Sequence, residues 1–122
     1  MVADLNGVLT HMSNANFLHF NDSNFEAEVI GSGKTVLVDF SAKWCAPCRQ
    51  LEPTIAAIAD EFAGKAKVGK VDIEESRNVA MKYGIAALPT LILFKGGTPV
   101  KKWTGLQKKD VLVGAMSEAA GG

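Results

Sequence analysis

The sequence is poor in cysteine, has no excess charge of either sign and contains no long hydrophobic run. Its 122 residues include only two cysteines, Cys45 and Cys48, three positions apart in one motif. No cysteine is left for a structural crosslink, so we expect a reducing compartment in which buried apolar area holds the fold together. Thirteen basic and thirteen acidic residues give a formal net charge of zero. This balance offers no general attraction for nucleic acid or an anionic membrane, so neither is an expected partner.

Segments that would direct the chain to or across a membrane are also missing. No stretch approaches the length of about 18 apolar residues that a spanning helix needs. Residues 1–16 lack the basic and apolar regions of a signal peptide, so the cytoplasm is the expected location. With 48% apolar and 21% charged residues, a chain of this length is predicted to form one domain around one core.

Residues 1–14 are interpreted as an N-terminal extension and residues 15–122 as the folded domain. Within the extension, apolar residues recur at spacings that would align them on one face of a short helix. These residues are Val2, Leu5, Leu9 and Met12. A helix this short is marginal in water unless it docks on a surface, so the extension is expected to be either flexible or a short helix.

Five apolar segments have the composition of β-strands. They are residues 17–20, 35–40, 66–73, 90–94 and 100–103. The second is rich in β-branched and aromatic residues, as expected for a strand buried on both faces. Gly96 and Gly97 favour a hairpin between the last two strands, with Pro99 at an edge of the sheet.

Four helical patterns lie among these strands. Ser23 and Glu26 have the spacing of a capping box and would begin the first helix, and Ser76 would cap the third. The inward-facing residues are predicted to be Phe25, Val29 and Ile30, then Leu51, Ile55, Ile58 and Phe62, then Val79, Ala80 and Tyr83, and finally Val111, Leu112, Ala115, Met116 and Ala119. The alternation predicts an α/β fold in which a mixed sheet is covered by helices on both faces.

The motif Trp44-Cys45-Ala46-Pro47-Cys48 lies where the second strand gives way to the longest helix. Two thiols at this spacing on the first turn of a helix share one face and can form a disulfide. Cys45 would lie at or beside the N-cap, where free backbone donors and the helix dipole favour a thiolate, so it is the predicted nucleophile. Pro47 suits the first turn because it has no N–H to leave unpaired. Cys48, one turn deeper, is the predicted resolving thiol.

Thiol–disulfide exchange through this pair requires a base when Cys48 attacks. Asp39 is the odd residue in its apolar strand, where burial would raise its pKa, so it is the candidate base. Lys70 is similarly isolated and is a possible charge partner for it. The alternatives are that Asp39 reaches water at the end of the strand and that Lys70 is an ordinary surface lysine.

Metal binding is an alternative use of the two thiols. The pair could supply half of a zinc site with His11 and His19, although these histidines precede the cysteines and match zinc-finger spacing poorly. Soft thiolates also suit Cu(I), but a proline between them argues against it. We therefore predict neither a metal nor another cofactor. Trp44 would either pack in the core or present a flat apolar surface to a partner protein.

Several segments match one known family in order and spacing. They are Val38-Asp39-Phe40-Ser41-Ala42-Lys43-Trp44-Cys45-Ala46-Pro47-Cys48-Arg49, Lys70-Val71-Asp72, Tyr83-Gly84-Ile85, Leu88-Pro89-Thr90 and Gly105. Over roughly residues 16–120 the chain thus resembles the thioredoxin family. The resemblance implies a three-layer α/β/α fold with a central mixed five-stranded sheet and four flanking helices. It also implies that Asp39 and Lys70 assist proton transfer at Cys48.

The resemblance further implies a shallow substrate groove and a reaction. The groove residues would be Trp44, Ala46, Pro47, Leu88, Pro89 and Gly105, with Pro89 in the cis form. The implied reaction is reduction of protein disulfides by dithiol–disulfide exchange. An NADPH-dependent thioredoxin reductase would then reduce the cysteine pair again. We expect disulfide-containing protein substrates, a monomer, and no nucleic-acid or membrane partner.

Two residues depart from the family pattern, and two other functions remain open. Ala46 stands where the family usually has glycine, and Ser41 where it commonly has an aromatic residue. Both departures leave the thiol pair intact and bear on potency and partner choice. One alternative function is a binding or assembly subunit whose redox activity is secondary. The other, an oxidant or isomerase of folding proteins, would require an export signal.

Overall fold

The computed structural model describes residues 15–121. The predicted N-terminal extension, with His11 inside it, lies outside the described residues. The strands are β1 Phe17–Phe20, β2 Thr35–Ser41, β3 Lys67–Asp72, β4 Thr90–Lys95 and β5 Thr98–Thr104. The helices are a π-helical turn Glu26–Ile30, α1 Ala46–Glu61, α2 Arg77–Lys82 and α3 Lys109–Gly121. No helix within residues 15–121 is long and apolar enough to cross a bilayer.

The five strands form one mixed sheet in the order β1-β3-β2-β4-β5. The outer strand β1 and the central strand β2 both run parallel to β3, whereas β4 runs antiparallel to β2 and to β5. This confirms the predicted mixed sheet and the terminal hairpin. Pro99 lies on the edge strand opposite Phe94, next to a register shift, where a missing N–H is tolerated.

Helices cover both faces of the sheet, and each face has its own apolar core. On one face α1 and α3 pack over the sheet through Leu51, Ile55, Ile58, Leu112 and Met116, against Leu37, Val68, Leu91 and Leu93. On the other face Phe25, which precedes the π-helical turn, Val29 of that turn and Val79 of α2 pack against Val36, Val38, Phe40, Val71, Ile92 and Phe94. Strand β2 is buried on both faces, as its composition predicted.

The inward face of α3 differs from the predicted one at its first position. Leu112 and Met116 are fully buried, but Val111 is 45% exposed. Ala115 and Ala119 are partly buried against the core, and Val113 joins them. The prediction for Val111 was wrong because the buried face of α3 is set by Leu112 and Met116, and Val111 lies farther around the helix from these two residues than Val113 does.

The capping box at the first helical turn lies two residues before the predicted one. The Oδ1 atom of Asn21 accepts a 2.9 Å hydrogen bond from the N–H of Asn24, and the Oδ1 of Asn24 accepts a 2.8 Å bond from the N–H of Asn21. Ser23 instead donates its hydroxyl to Asn21, so the predicted pair of Ser23 and Glu26 was wrong. Two asparagines three positions apart satisfy the same backbone donors in the same reciprocal way.

The N-terminus of α2 is capped by a residue that is remote in sequence. Ser76 is the N-cap residue, but its side chain makes no capping hydrogen bond, and its buried hydroxyl has no partner among the described residues. The Asp22 carboxylate instead accepts bonds of 3.3 Å and 3.0 Å from the N–H groups of Asn78 and Val79. A carboxylate at this position also complements the helix dipole. The predicted capping by Ser76 is therefore corrected to Asp22.

Candidate functional site

Cys45 and Cys48 form a disulfide at the beginning of α1. Cys45 is the N-cap residue, with an extended backbone (φ −89°, ψ 108°), and its Sγ accepts a 3.2 Å hydrogen bond from the N–H of Cys48. Pro47 lies in the first turn. The Cα atoms of the two cysteines are 5.3 Å apart, so the disulfide forms without movement of the backbone.

The two cysteines differ in their surroundings more than in their exposure. Cys45 is 5% exposed and Cys48 is 3% exposed, so the predicted difference in depth is small. Cys45 lines an apolar groove, whereas Cys48 lines a separate polar cavity. The disulfide therefore lies between two sites of opposite character.

The apolar groove has a volume of about 410 Å³. It is lined by Trp44, Cys45, Ala46, Pro47, Ile73, Ile85, Ala86 and Leu88. Trp44 is 63% exposed and so presents its ring at the surface rather than in the core. The structure thus brings together four of the six residues for which the sequence predicted a groove. A flat apolar surface beside a disulfide suits contact with a polypeptide.

Pro89 and Gly105, the other two predicted groove residues, are absent from this lining but contact each other. The Leu88–Pro89 peptide bond is cis. Gly105 has a φ of +89°, which only glycine adopts without strain. Its N–H donates a 2.8 Å hydrogen bond to the carbonyl oxygen of Pro89. The two residues are therefore held together next to Leu88, at the edge of the groove.

The polar cavity has a volume of about 430 Å³ and extends from Cys48 to the sheet. Its lining includes Asp39, Ser41, Cys48, Arg49, Glu52 and Lys70. Ser41, one of the two departures from the family pattern, is thus part of the wall of this cavity. The structure brings the predicted base and its predicted charge partner to the same cavity as the predicted resolving thiol.

The pairing of β2 and β3 explains why Asp39 and Lys70 meet. The two residues are directly paired in the parallel register. Side chains alternate between the faces of a strand, so Asp39 lies on the same face as Leu37, which packs against α1. Lys70 lies on the same face as Val68 by the same rule. Both side chains therefore point toward the helix that carries the cysteines.

Asp39 is a buried carboxyl group without a complete set of partners. It is 1% exposed, and its Oδ1 has no hydrogen-bond partner among residues 15–121. Its pKa is raised from 3.8 to about 7, chiefly by burial and to a smaller extent by the nearby Glu52 carboxylate, while the Lys70 ammonium partly opposes both. The alternative in which Asp39 reaches water at the strand end is excluded by its burial.

The ion partner of Lys70 is Glu52 rather than Asp39. The Nζ atom of Lys70 forms an ion pair with Oε2 of Glu52, and the two side chains are only 27% and 24% exposed. Glu52 was not among the predicted site residues. Lys70 was predicted as a possible charge partner of Asp39. Its charge lowers the pKa of Asp39, but its ion pair is with Glu52, because α1 places a second carboxylate at the cavity.

Comparisons with known proteins bear on the same residues. The family model named Thioredoxin matches residues 16–118. The chain belongs to the thioredoxin family. A thioredoxin from Chlorobaculum thiosulfatiphilum is 39% identical over 105 residues, which cover 86% of this chain and 97% of that protein. Thioredoxin 1 from a Nostoc species is 47% identical over 95 residues, covering 78% and 80%.

A solved structure shows the same likeness in three dimensions. A mutant thioredoxin from Halobacterium salinarum superposes with a TM-score of 0.78 and 32% sequence identity, covering 88% of this chain and 95% of that one. The predicted fold, a five-stranded mixed sheet with flanking helices, is therefore confirmed. As a thioredoxin-family protein with a disulfide-forming cysteine pair, the chain is a thiol–disulfide oxidoreductase that acts on protein disulfides.

Within residues 15–121, no group of three or more His, Cys, Asp or Glu side chains is placed to hold a metal ion. His19 lines the polar cavity and both sulfurs are used in the disulfide.

The sequence did contain signals for the residues that prediction missed. Glu52 follows Cys48 by four positions, which places both on one face of α1. Ile73 ends the predicted 66–73 segment, and the carboxyl ends of parallel strands gather at one edge of a sheet. Ile85 follows directly after Gly84, within a segment that matches the family. Each signal is present in the sequence, but its meaning becomes clear only when it is known which elements lie side by side.

Proposed function

We propose that Cys45 is the nucleophile, Cys48 the resolving thiol and Asp39 the base in the reduction of protein disulfides. The observation that carries this proposal is the separation of surroundings at the disulfide. Cys45 lines the apolar groove, where a polypeptide can bind, whereas Cys48 lines the cavity that contains Asp39. The N-cap position of Cys45 also supports its role, because backbone donors and the helix dipole stabilise a thiolate there.

The proposed reaction has two exchange steps. The Cys45 thiolate attacks one sulfur of the substrate disulfide, a bond between Cys45 and that sulfur forms, and the second substrate sulfur leaves as a thiolate. Cys48 then gives its proton to Asp39 and attacks Cys45. The Cys45–Cys48 bond forms, the bond from Cys45 to the substrate breaks, and the first substrate sulfur leaves as a thiolate. Two electrons have passed from the cysteine pair to the substrate.

The groove is proposed to hold an extended segment of the substrate. Trp44, Ala46, Pro47 and Leu88 would contact its side chains, and Pro89 and Gly105 would border its backbone. The exposure of Trp44 and the small side chain of Ala46 support this arrangement. Lys70 is proposed to assist proton transfer through its charge near Asp39.

Regeneration is proposed to occur through an NADPH-dependent thioredoxin reductase, in the cytoplasm and with the protein as a monomer. A disulfide reductant works only if its own disulfide is reduced again, which a reducing compartment supports. A monomer leaves the groove open to substrate. Oxidation of NADPH in the presence of a thioredoxin reductase and this protein would measure regeneration by the reductase. Sedimentation equilibrium would measure whether the protein is a monomer.

Reduction of insulin disulfides tests the proposed roles. We expect activity in the wild type, none in Cys45→Ser, and in Cys48→Ser a stable mixed disulfide that mass spectrometry detects. Full activity in Cys45→Ser would reject that residue as the nucleophile. The Cys45 thiol is also expected to ionise below its ordinary range when the reduced protein is titrated by thiolate absorbance.

A further inference from the structure

The Glu52–Lys70 ion pair lies at the polar cavity, and Glu52 has no part in the roles described above. Glu52 comes from α1, four positions after Cys48, and Lys70 comes from β3, paired with Asp39 of β2. About three quarters of each side chain in the ion pair is shielded from solvent. The pair therefore differs from an ordinary surface ion pair, whose partners exchange freely with water.

We propose that Glu52 is a positioning residue that holds the Lys70 ammonium and prevents it from pairing with Asp39. The proposal rests on the assigned roles of Asp39 as base and Cys48 as resolving thiol. Three observations support it. Lys70 is bonded to Glu52, Asp39 is directly paired with Lys70 in the sheet, and Oδ1 of Asp39 has no hydrogen-bond partner among residues 15–121.

Without Glu52, the Lys70 ammonium would pair with the buried Asp39 carboxylate. Opposite charges attract more strongly where water is excluded, and Asp39 is only 1% exposed. A direct pair of Lys70 with Asp39 would keep Asp39 ionised and would make it a weak proton acceptor. By occupying Lys70, Glu52 leaves Asp39 able both to take up and to release a proton near neutral pH.

Several other charged groups face the same cavity. They are His19 of β1, Asp72 of β3, Arg49 of α1, and Lys43 and Glu75 of the adjoining loops. Lys43 and Glu75 pair with each other at 3.7 Å and are largely exposed. The guanidinium of Arg49 donates to the carbonyl oxygen of Lys43 at 2.5 Å. Besides burial, the two groups that shift the pKa of Asp39 are Glu52, which raises it, and Lys70, which lowers it.

The consequence for the reaction concerns the second exchange step. Cys48 gives its proton to Asp39 while its sulfur bonds to Cys45 and the substrate sulfur leaves. A carboxyl group with a pKa of about 7 can accept this proton and then pass it to solvent through the cavity. Without Glu52, Asp39 would remain ionised to lower pH but would accept the proton from Cys48 less readily.

The test is a pH titration of Asp39 in the oxidised protein, in which carbon NMR of its carboxyl group reports the protonation state. The disulfide removes the Cys48 thiol, which would otherwise titrate together with Asp39. In Glu52→Gln we expect the titration midpoint of Asp39 to fall by about one pH unit. In Lys70→Gln we expect it to rise, because Glu52 then acts without its partner. An unchanged midpoint in Glu52→Gln overturns the proposal.

A matched control is Glu61→Gln, which removes a carboxylate from the same helix. Glu61 pairs with Lys109 at 3.4 Å, and both side chains are about half exposed. We expect no shift of the Asp39 midpoint in this variant. A shift as large as that in Glu52→Gln would show a general charge effect and would also overturn the proposal.

A double variant tests whether Glu52 acts through Lys70. If it does, Glu52→Gln shifts the midpoint less in a Lys70→Gln background than in the wild type. An equal shift in both backgrounds would mean direct repulsion alone and would reject the positioning role.

Rate measurements separate this proposal from the proposed function. We expect the rate of substrate release from a mixed disulfide on Cys45 to rise with pH as Asp39 ionises, and the rise to move to lower pH in Glu52→Gln. If Asp39→Asn leaves that rate and its pH profile unchanged, Asp39 is not the base and the proposed function is revised. If Asp39→Asn changes the profile but Glu52→Gln does not, only the role of Glu52 fails.

Discussion

Asp39 and Lys70 are directly paired across the parallel strands β2 and β3, yet the Lys70 ammonium binds Glu52 of α1. This arrangement leaves a buried carboxyl group beside the cysteine pair without a direct counter-ion. Its pKa is raised from 3.8 to about 7, with burial as the largest cause, followed by the Glu52 carboxylate. The same group that is proposed to move a proton therefore also makes stability depend on pH.

Replacing Asp39 by Asn is expected to stabilise the oxidised protein at alkaline pH. The unfolded chain loses the Asp39 proton near pH 3.8, whereas the folded protein keeps it to about pH 7. The free energy of unfolding of the wild type should therefore fall as the pH rises through this range, by about 4 kcal/mol in total. Asp39→Asn removes this contribution, so it should exceed the wild type by about that amount at pH 8 and match it below pH 4.

Urea unfolding at several pH values measures this difference. Glu118→Gln on the exposed side of α3 is a suitable control, since it removes a carboxylate that is not buried. We expect it to change the free energy of unfolding by the same small amount at each pH. A constant difference between Asp39→Asn and the wild type from pH 4 to pH 8 would contradict the assigned protonation of Asp39.

The parts of this fold that were predictable are those set by patterns within one element. The apolar run of β2 and the stripe of Leu51, Ile55 and Ile58 on α1 indicated burial because each pattern repeats with the period of its own element. The thiol chemistry was predictable for the same reason, because both cysteines lie on one helical turn. Each of these features depends on residues that are close together in the sequence.

Features that depend on contacts between distant segments could not be predicted in this way. Asp22 caps a helix that begins more than fifty positions later, so the local sequence around Ser76 suggested the wrong cap. Glu52 was not among the predicted site residues, because its role depends on β3 placing Lys70 beside it. In both cases a charged side chain finds its partner only after the sheet has brought the elements together.

The cap of α2 predicts different effects on stability for substitutions of Asp22 and Ser76. Asp22→Ala removes the acceptor for the N–H groups of Asn78 and Val79, so it should lower the free energy of unfolding by about 1 kcal/mol. Ser76→Ala removes a buried hydroxyl that has no partner among the described residues, so it should be neutral or slightly stabilising. Urea unfolding of both variants measures the contrast. A larger loss in Ser76→Ala than in Asp22→Ala would show that Ser76 is the functional cap.

Close packing between β1 and β3 makes Gly69 sensitive to any side chain. A Cβ atom at this position would lie 2.5 Å from Cε2 of Phe20 and 2.9 Å from the carbonyl oxygen of Leu18. We expect Gly69→Ala to lower the free energy of unfolding by about 1 to 3 kcal/mol, because the Phe20 ring must move within the core. Gly114→Ala is the matched control on α3, where nothing lies within 4 Å of the added atom. It should stabilise the protein by up to about 1 kcal/mol, and thermal unfolding of both variants tests the two signs.

The proposed substrate groove predicts a specific defect for Trp44→Ala. Trp44 is exposed and lines the groove beside Cys45, so its loss should weaken binding of a protein substrate and lower kcat/KM for insulin by about tenfold. The rate with a small aromatic disulfide should change much less, because such a molecule reaches the sulfur without filling the groove.

Met81→Ala provides the control for the loss of an exposed apolar side chain. Met81 is 77% exposed on α2 and does not line the groove, so its removal should leave both rates unchanged. If Trp44→Ala lowers the rates with insulin and with the small disulfide equally, Trp44 affects the reactivity of the Cys45 thiol rather than substrate binding. Equal losses in Met81→Ala and Trp44→Ala would instead show that insulin does not use the groove, because the two side chains share exposure but not location.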